Sequence, residues 1–223
     1  MANLHVLRVF VDEGGADGNP LGVFLEGREV PEQDRQKVAA DLGFSETVFV
    51  EDPGRGELRI FTPTAELPFA GHPLVGTAWL LAREGAGASV LRPPAGEVPM
   101  RTEDDFTYIF GRPEWAPPFE HVEFDSPATV DELTGPPNGH DLVGAWAWED
   151  EEMGHVRARV FPLRLGIEED EATGAHAVLL GAHLGREIKI HQGKGSLILA
   201  RPQPDGTVEI GGRTELIEVR QYQ

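Results

Sequence analysis

The stretch "PTAELPFAGHPLVGTAWLL", residues 63 to 81, joins a polar turn to an apolar run through a single Gly-His-Pro step. The apolar pattern that follows Gly71 continues to Gly85 and predicts a helix that begins at the first of these glycines. Two interpretations of the step stay open at this point. It is either a turn ahead of a core helix or a cradle for a substrate at a helix start.

A second stretch of the chain repeats this pattern. "EDEATGAHAVLLGAHL" from Glu169 aligns without a gap with "ELPFAGHPLVGTAWLL" from Glu66, and the alignment places Gly174 on Gly71. Each half then offers a strand, a loop, a glycine and an apolar helix. The identities are few, so chance similarity stays an alternative, and the repeat supports the fold more than the function.

If the halves are structural copies, two helices begin at Gly71 and Gly174 and face one another. Each helix start presents unpaired backbone N–H groups and the positive end of its dipole. That arrangement suits a carboxylate, so we expect a small anionic metabolite as the partner. The net charge of −19 does not prevent this, because local N–H donors outweigh a distant and screened surface field.

The rest of the chain predicts an α+β fold in which strands outnumber helices. Short segments that alternate apolar and polar residues lie between 27 glycines and 18 prolines. Predicted helices follow Pro31, Gly71, Ser126 and Thr173, with Ser126 as an N-cap. The predicted strands are "LHVLRVFVD", "ETVFVED", "ELRIFTP", "VRARVFPL", "REIKIHQ", "SLILARP" and "TELIEVR".

A proline-rich stretch in the middle of the chain predicts a linker. It is "GRPEWAPPFEHV", residues 111–122, and proline disrupts both helices and strand ladders. We therefore expect two pseudo-symmetric units of similar size, residues 1–112 and 113–223. The last strand, at about 213–221, is expected to return to the first unit.

Composition excludes several classes of function. With 38 acidic against 19 basic residues, the charge opposes binding to nucleic acid or to an anionic membrane surface. No apolar run approaches the roughly 20 residues that span a bilayer, so a cytoplasmic location is expected. Cysteine is absent, which excludes disulfides, thiolate nucleophiles and cysteine-ligated metals. The eight histidines show no ligand spacing, so no metal site is expected.

Two carboxylate positions and one histidine are candidates for acid and base chemistry. Glu46 in "GFSETVFV" has apolar neighbours at a strand start, where burial would raise the pKa of its carboxyl. Asp170 and Glu171 lie in a cluster of like charges that disfavours full ionisation. Local sequence favours the alternative of solvated carboxylates at a strand end or helix start. His72 is a candidate donor to substrate, with a local helix cap as the alternative.

Five stretches of the chain carry a family resemblance: "FVDEGGADGNPLGVFLEG", "GFSETVFVED", "LRIFTPTAELPFAGHPLVGTAWLL", "EEDEATGAHA" and "HQGKGSLILARPQPDGTVEIGG". Taken in order, they resemble the phenazine-biosynthesis PhzF-like family, whose fold is that of diaminopimelate epimerase. The most specific part is the first half, where the glutamate after Phe-Ser and the Ala-Gly-His-Pro step stand at family-like separation.

The resemblance implies two similar domains, each a strongly curved, mainly antiparallel β-sheet around a central helix, with the active site between them and a homodimer as the usual assembly. By resemblance, Glu46 takes the position of the general acid/base, with His72 and Asp170 as further catalytic residues. The reaction it implies moves a proton between carbons without metal or organic cofactor. The absence of cysteine fits this branch, because epimerases and proline racemases of the fold use a cysteine pair. The residues expected to bind substrate are Ser45, Gly71, Thr173, Gly174 and Ala175.

The second half departs from the family pattern. The usual Asp-Pro-Ala-Thr-Gly-Ser is here residues 170–175, with Glu171 in place of the proline and Ala175 in place of the serine. The missing hydroxyl removes a donor to substrate, a contact worth roughly 0.5 to 1.5 kcal/mol if neutral. The segment "GKGS", residues 193–196, is also reduced, so a more open cleft is expected on that side.

We therefore expect an isomerase-like enzyme that transfers a proton on a small carboxylate-bearing metabolite. The altered "DEATGA" segment favours an alternative, a small-molecule binding protein that keeps the fold but is weak or inactive as a catalyst. A third alternative is a member of the fold with an unrelated surface role, for which a blocked cleft would argue. Substrate, direction and stereochemistry depend on pocket shape, which one sequence does not reveal.

Overall fold

Segments of alternating apolar and polar residues form most of the strands. The computed structural model of the protein describes residues 2–137 and 139–222, and strands outnumber helices in these residues. "ETVFVED" and "SLILARP" form the strands Glu46–Asp52 and Ser196–Pro202 with the bounds that the sequence predicts. The prediction of an α+β fold is confirmed.

The described residues contain fourteen strands and four α-helices, joined by turns and short 3-10 segments. The strands are β1 (Asn3–Val11), β2 (Asn19–Phe24), β3 (Glu46–Asp52), β4 (Glu57–Phe61), β5 (Glu66–Leu67), β6 (Val90–Leu91), β7 (Val98–Glu103), β8 (Phe106–Gly111), β9 (Glu120–Glu123), β10 (Val143–Asp150), β11 (His155–Phe161), β12 (Ile188–Gln192), β13 (Ser196–Pro202) and β14 (Val208–Gln221). The helices are α1 (Arg35–Leu42), α2 (Gly71–Arg83), α3 (Pro127–Asp131) and α4 (Gly174–Leu184).

The strands form one continuous sheet whose pairing is symmetric about β14. Its order is β5-β4-β3-β2-β1-β14-β13-β12-β11-β10-β9, with β8 also paired to β14, β7 paired to β8, and β6 paired to β7. Going outward from β14 on either side, successive pairings are antiparallel, antiparallel, parallel and antiparallel. This repeated topology is the structural counterpart of the repeat in the sequence.

β14 connects the two halves, because its two ends pair with different strands. Residues 208–212 pair with β8, and residues 208–211 also pair with β13. Residues 213–221 pair with β1 in the first half. The division of the chain at residue 112 stays a prediction, since the sheet is continuous through β14.

The proline-rich segment 111–122, which the sequence predicts as a linker, packs against neighbouring elements through two aromatic side chains, and its role as a boundary between two units stays a prediction. A 3-10 turn spans Pro113–Trp115, and the ring of Trp115 contacts that of Phe69 at a centroid distance of 5.8 Å. Phe119 is buried, and β9 begins directly after it. The prolines limit the strands on both sides, but the aromatic side chains hold the segment in place.

α2 and α4 are core helices, while α1 and α3 lie at the periphery. α2 packs against β1, β2, β8 and β14, and α4 packs against β13 and β14. Ser126 caps α3 as the sequence predicts, since its Oγ accepts a hydrogen bond from the backbone N–H of Thr129 at 3.3 Å. No helix in the described ranges is both long enough and apolar enough to cross a membrane.

Seven of the fourteen described strands are absent from the sequence prediction, namely β2, β5, β6, β7, β8, β9 and β10. β2, "NPLGVF", contains Pro20 and Gly22, and β10, "VGAWAWED", contains Gly144 and two alanines, residue types that are depleted in strands and weaken the pattern. β7, "VPMRTE", begins next to a proline. These strands form because their neighbours in the sheet supply hydrogen-bond partners, a tertiary effect that outweighs local propensity.

Candidate active site

The starts of α2 and α4 lie against each other. α2 begins at Gly71 and α4 at Gly174. A Cβ atom on Gly71 would lie 2.6 Å from the Cα atom of Gly174, and one on Gly174 would lie 2.8 Å from the Cα atom of Gly71. Only glycine permits this approach, which brings the unpaired N–H groups of both helix starts into one region. The structure thus joins the two glycines that the internal comparison aligns.

Glu46, the first residue of β3, is buried beside the start of α2. Its Oε2 atom lies 3.5 Å from Nδ1 of His72 and has no hydrogen-bond partner among the described residues. Burial, and after it the charge of Asp170, raises the pKa of the Glu46 carboxyl to about 8. Glu46 therefore keeps its proton at neutral pH, and the alternative of a solvated strand-end carboxylate is wrong.

His72 is the second residue of α2, and its side chain is buried. Burial lowers the pKa of this imidazole to about 3, so the ring is neutral. Its Nε2 atom has no hydrogen-bond partner within the part of the chain that the structure describes. His72 can therefore offer a neutral donor or acceptor beside Glu46, but it brings no positive charge.

Asp170 enters the site from the second half, in the loop before α4. Its Oδ1 accepts a hydrogen bond from Nδ2 of Asn19 at 2.7 Å, and its Oδ2 accepts one from Oγ1 of Thr173 at 2.6 Å. Burial raises the pKa of the Asp170 carboxyl to about 6, and these two donors hold it from rising further. Asp170 is therefore largely ionised at neutral pH, and it is buried rather than solvated.

Asn19, the first residue of β2, links the two halves of the site. Its side chain is buried, and Oδ1 accepts a hydrogen bond from Oγ of Ser45 at 3.1 Å. Nδ2 donates to Oδ1 of Asp170 and, at 2.9 Å, to the carbonyl oxygen of Ala172. The amide uses both its acceptor and its donor group, so its orientation is fixed, and Ser45 next to Glu46 is connected to Asp170.

Gln192, the last residue of β12, fixes the orientation of Thr173 by hydrogen bonds to Thr173 and to the carbonyl oxygen of Asp170. Its Nε2 donates to the Asp170 carbonyl oxygen at 2.8 Å and to Oγ1 of Thr173 at 2.9 Å, while its Oε1 accepts from the backbone N–H of Thr173 at 3.1 Å. Because Thr173 Oγ1 accepts from Gln192, its single hydrogen is free to point to the Asp170 carboxylate. Gln192 is fully buried, so this network is rigid.

The two carboxyl groups of the site differ in protonation at neutral pH. Glu46 lies among groups that give its Oε2 no hydrogen bond, whereas Asp170 accepts two. A protonated acid and an ionised base therefore meet in one buried region, one from each half of the chain. That pairing suits the transfer of a proton to and from a bound molecule.

The described titratable side chains of the site do not form a metal-binding arrangement. Across residues 2–137 and 139–222, no group of three or more His, Asp or Glu side chains is arranged to hold a metal ion. The neighbours of the Asp170 carboxylate are the amide of Asn19 and the hydroxyl of Thr173. Both donate hydrogen bonds to it, so they present hydrogen atoms and not ligand oxygens on that side.

Comparison with known proteins identifies the family. Residues 7–135 match the sequence profile PhzC-PhzF, which describes phenazine biosynthesis-like proteins. The chain belongs to this family. The resemblance seen in the sequence is therefore confirmed. The profile match includes Glu46 and His72 but ends before Asp170. The part of the candidate site around Asp170 is therefore described by its geometry and not by the profile.

Several relatives of this PhzF-family chain are named as isomerases. It is 30% identical over 221 residues to trans-2,3-dihydro-3-hydroxyanthranilate isomerase of Pseudomonas fluorescens, with 80% of this chain and 78% of the relative covered. It is 44% identical over 104 residues to an uncharacterized isomerase of Mesorhizobium japonicum, with 43% of this chain and 34% of the relative covered.

Solved structures share the fold. A phenazine biosynthesis protein of the PhzF family from Enterococcus faecalis superposes with a TM-score of 0.81 at 21% identity, over 100% of this chain and 99% of that one. A hydroxyproline epimerase from Agrobacterium vitis superposes with a TM-score of 0.67 at 11% identity, over 99% and 90% of the two chains. At these identities the likeness concerns the fold alone.

Ala175, where the sequence pattern of PhzF-like proteins has a serine, faces an apolar cluster. It is buried with Phe119, Leu142 and Val160. A methyl group there packs without leaving a polar atom unpaired. Any contact of Ala175 with substrate must therefore use its backbone N–H, and its role in binding stays a prediction.

Sequence reasoning missed Asn19 and Gln192 as site residues of this PhzF-family chain. Asn19 precedes a proline, a pair that indicates a turn, and Gln192 precedes a glycine in a hairpin. Both lie in stretches that carry the family resemblance. The signal that could have found them is a polar amide at the end of an apolar strand, where burial demands a partner.

Proposed function

We propose that this PhzF-family protein is an isomerase that transfers a proton between carbon atoms of a small carboxylate-bearing metabolite, using Glu46 and Asp170 and no metal or organic cofactor. One observation carries the proposal. Two buried carboxyl groups from opposite halves, each with a pKa raised by burial, meet beside two helix starts.

The protonation states assign a role to each carboxyl group. Asp170 removes a proton from one carbon of the substrate, and the electron pair of that C–H bond moves into the adjacent π system. Glu46 delivers its proton to another carbon, so the substrate is isomerised with no net gain or loss of atoms. Asp170 then holds a proton and Glu46 is ionised, and exchange with solvent after product release restores both.

His72 supports Glu46 as a neutral group. Its Nδ1 lies 3.5 Å from the Glu46 carboxyl oxygen that has no hydrogen-bond partner in the described residues. A neutral imidazole does not stabilise ionised Glu46 as a cation would, so the raised pKa of Glu46 is retained. His72 thus positions the acid and faces the substrate, and Ser45 supports the same side through Asn19.

The opposed starts of α2 and α4 support a carboxylate as the recognised group. Backbone N–H groups at Gly71, Gly174 and their neighbours form an anion site without any basic side chain. The two glycine backbones are in contact, which brings the N–H groups of the two helix starts close together. Thr173 and Ala175 flank the second helix start and complete the proposed binding site.

The test measures carbon-bound deuterium in candidate substrates incubated with the protein in deuterated water. The panel begins with trans-2,3-dihydro-3-hydroxyanthranilate, named for a relative, and includes cyclic and amino-acid-like carboxylates. We expect exchange with the wild type and its loss in Glu46→Gln and in Asp170→Asn. Glu168→Gln, an exposed carboxylate of the same loop as Asp170, is the matched control. Equal exchange in the wild type and Glu46→Gln would refute the role of Glu46.

A binding protein without turnover is the second candidate, and the replacement of a serine by Ala175 favours it. If a ligand of the panel raises the melting temperature but no exchange occurs, this candidate replaces the isomerase, because binding to the folded state alone raises apparent stability. If neither effect occurs across the panel, both candidates fail for these ligands.

The proposal includes a homodimer in the cytoplasm. Residues 215–221 of β14 pair on one side with β1 and, within the described chain, have no strand on the other side. Ile217 and Val219 on this edge are about half exposed. If Val219 lies on a two-fold axis of an antiparallel pair, Glu218 of one copy stands opposite Arg220 of the other, so the edge is complementary to itself.

A further inference from the structure

Glu171, which the proposed chemistry does not use, joins two turns next to the site. Its Oε1 accepts a hydrogen bond from the backbone N–H of Lys194 and another from Oγ of Ser196, both at 2.9 Å. Ser196 is fully buried, and its Oγ accepts a hydrogen bond from the backbone N–H of Gly18 at 3.0 Å.

The direction of these hydrogen bonds is fixed by chemistry. The N–H of Gly18 can only donate, so the Ser196 hydroxyl accepts there and gives its single hydrogen to Glu171. Oε1 of Glu171 acts only as an acceptor, so this series of hydrogen bonds ends at Glu171. The three groups therefore form one directed link from the loop before β2 to the loop before α4.

This link runs beside the hydrogen bonds of Asn19. Gly18 directly precedes Asn19, whose Nδ2 holds the Asp170 carboxylate and the Ala172 carbonyl oxygen. Those two residues stand on either side of Glu171. The side chain of Asn19 is therefore hydrogen-bonded to the two residues that flank Glu171. In return, Glu171 is connected through Ser196 to Gly18, the residue before Asn19.

The fit around Glu171 is close. A Cβ atom on Gly193 would lie 2.4 Å from its Oε2 atom, and Gly193 has a φ of +60°, a conformation that favours glycine. The turn after β12 is therefore shaped to admit this carboxylate. A solvated loop carboxylate would require neither the glycine nor the buried serine.

We propose that Glu171 is a positioning residue: acting through Ser196 on Gly18, its carboxylate holds Asn19 in place against Asp170 and so keeps the two halves of the site in register. The effect on catalysis rests on the proposed function, but the effect on Asn19 and Asp170 does not.

The matched pair Glu171→Gln and Glu171→Ala tests this. Both remove the same negative charge, but only glutamine keeps an oxygen that accepts from Lys194 and Ser196. Residue-resolved amide hydrogen exchange of Gly18 and an NMR titration of the Asp170 carboxyl are measured in both. We expect exchange of the Gly18 amide to be about tenfold faster in Glu171→Ala than in Glu171→Gln. We also expect the pKa of Asp170 to be higher in Glu171→Ala than in Glu171→Gln, because the Asn19 donor is lost only in Glu171→Ala.

Ser196→Ala is the second variant, and it keeps the charge of Glu171 and its bond to Lys194. It should also speed exchange at Gly18 and raise the pKa of Asp170, while the Val9 amide in β1 serves as an internal reference. Glu168→Ala is the control in the same loop and should change neither quantity.

Equal Gly18 exchange and equal Asp170 titration in Glu171→Ala and Glu171→Gln would overturn the proposal. Faster exchange at Gly18 with no change in Asp170 would also overturn it, since Glu171 would then only cap a turn. Neither readout needs a substrate. An absence of proton exchange on the substrate panel would therefore count against the proposed function and leave this test intact.

Discussion

At the scale of single residues, the site depends on two carboxyl groups with different surroundings. Glu46 is desolvated without a hydrogen bond to its Oε2, while Asp170 is desolvated but accepts from Asn19 and Thr173. Burial raises the pKa of both carboxyl groups, and hydrogen-bond donors limit the rise, with Ser45 acting on Glu46 and with Thr173 and Asn19 acting on Asp170. The neutral state of His72 adds no charge that would remove this difference.

Replacement of Glu46 by glutamine should change how stability depends on pH. The pKa of Glu46 is raised in the folded state to about 8 from an ordinary 4.5, so its contribution to stability is favourable below pH 4.5 and is lost as the pH rises toward 8. Glutamine does not titrate. The difference in unfolding free energy, Glu46→Gln minus wild type, should therefore increase by about 1 kcal/mol or more from pH 5 to pH 8.

Urea unfolding of both proteins at pH 5, 6.5 and 8 measures this difference, with Glu168→Gln as the exposed control. A constant difference between Glu46→Gln and the wild type across that range would show that Glu46 is ionised in the folded protein at pH 5.

The sequence offers burial of Glu46 only as one of two alternatives and gives no sign of Asn19. Phe44, Val48 and Phe49 are apolar neighbours of Glu46, but local sequence favours a solvated strand-end carboxylate, and its burial is decided by the tertiary structure. Asn19 acquires its role from Ser45 and Asp170, which lie far away in the sequence. A hydrogen bond between distant residues leaves no periodicity, and for this reason the sequence alone did not predict it.

At the scale of elements, the contact between α2 and α4 determines what can be replaced at their first residues. In Gly71→Ala or Gly174→Ala, the new Cβ meets the backbone of the opposite glycine at less than 3 Å, and backbone cannot move as a side chain can. We expect each variant to lose roughly 1 to 3 kcal/mol of unfolding free energy, the usual range for overpacking.

Gly135→Ala is the control for these variants, because a Cβ there meets no atom within 4 Å. Thermal and urea unfolding compare the three proteins. A stability of Gly71→Ala equal to that of Gly135→Ala would mean that the two helix starts are farther apart in solution.

A buried histidine on α4, in contact with a partly buried histidine on β9, predicts sensitivity to acid. Nε2 of His176, fully buried on α4, lies 3.2 Å from Nδ1 of His121 on β9. Burial lowers the pKa of His176 to about 3 and that of His121 to about 4. Both rings are neutral in the folded protein, whereas the unfolded chain binds protons below about pH 6.5. Their contribution is therefore present above pH 6.5 and is lost as the pH falls toward 4.

Replacement of His176 by glutamine should reduce the loss of stability between pH 6.5 and pH 4. A fully buried neutral histidine contributes up to about 1.4 kcal/mol per pH unit in this window, and glutamine contributes none. The packing cost of the substitution does not vary with pH, so the slope is the readout. His155→Gln, on β11 and only partly buried, is the control. Parallel slopes for His176→Gln and the wild type would exclude His176 as the source of acid sensitivity.

At the scale of the whole molecule, β14 holds the two halves together, and no strand of the described residues pairs with the second edge of residues 215–221. Its first residues pair with β8 and β13, and its last residues pair with β1. An unpaired edge with exposed apolar side chains is a surface that proteins either protect with charge or use for association. Glu218 and Arg220 provide charges that are complementary when two copies pair about Val219.

Val219→Lys should weaken the proposed dimer. Two lysines would meet at the two-fold axis, and like charges directly opposite each other are destabilising. Sedimentation velocity over a concentration series is expected to show a dimer for the wild type and at least a tenfold weaker association for Val219→Lys, which corresponds to about 1.4 kcal/mol. Met153→Lys, at another exposed apolar side chain, is the control. A monomeric wild type, or an unchanged Val219→Lys, would refute an interface at this edge.

The sequence by itself determined the α+β class, the two helices at Gly71 and Gly174, half of the strands and the family, because these depend on local periodicity, glycine placement and short motifs. Tertiary structure alone decided that Trp115 and Phe119 hold residues 111–122 against neighbouring elements, that β14 joins both halves, and that Asn19, Gln192 and Glu171 surround Asp170. These features arise where segments distant along the chain satisfy each other's buried polar groups, and no pattern within one segment encodes such a match.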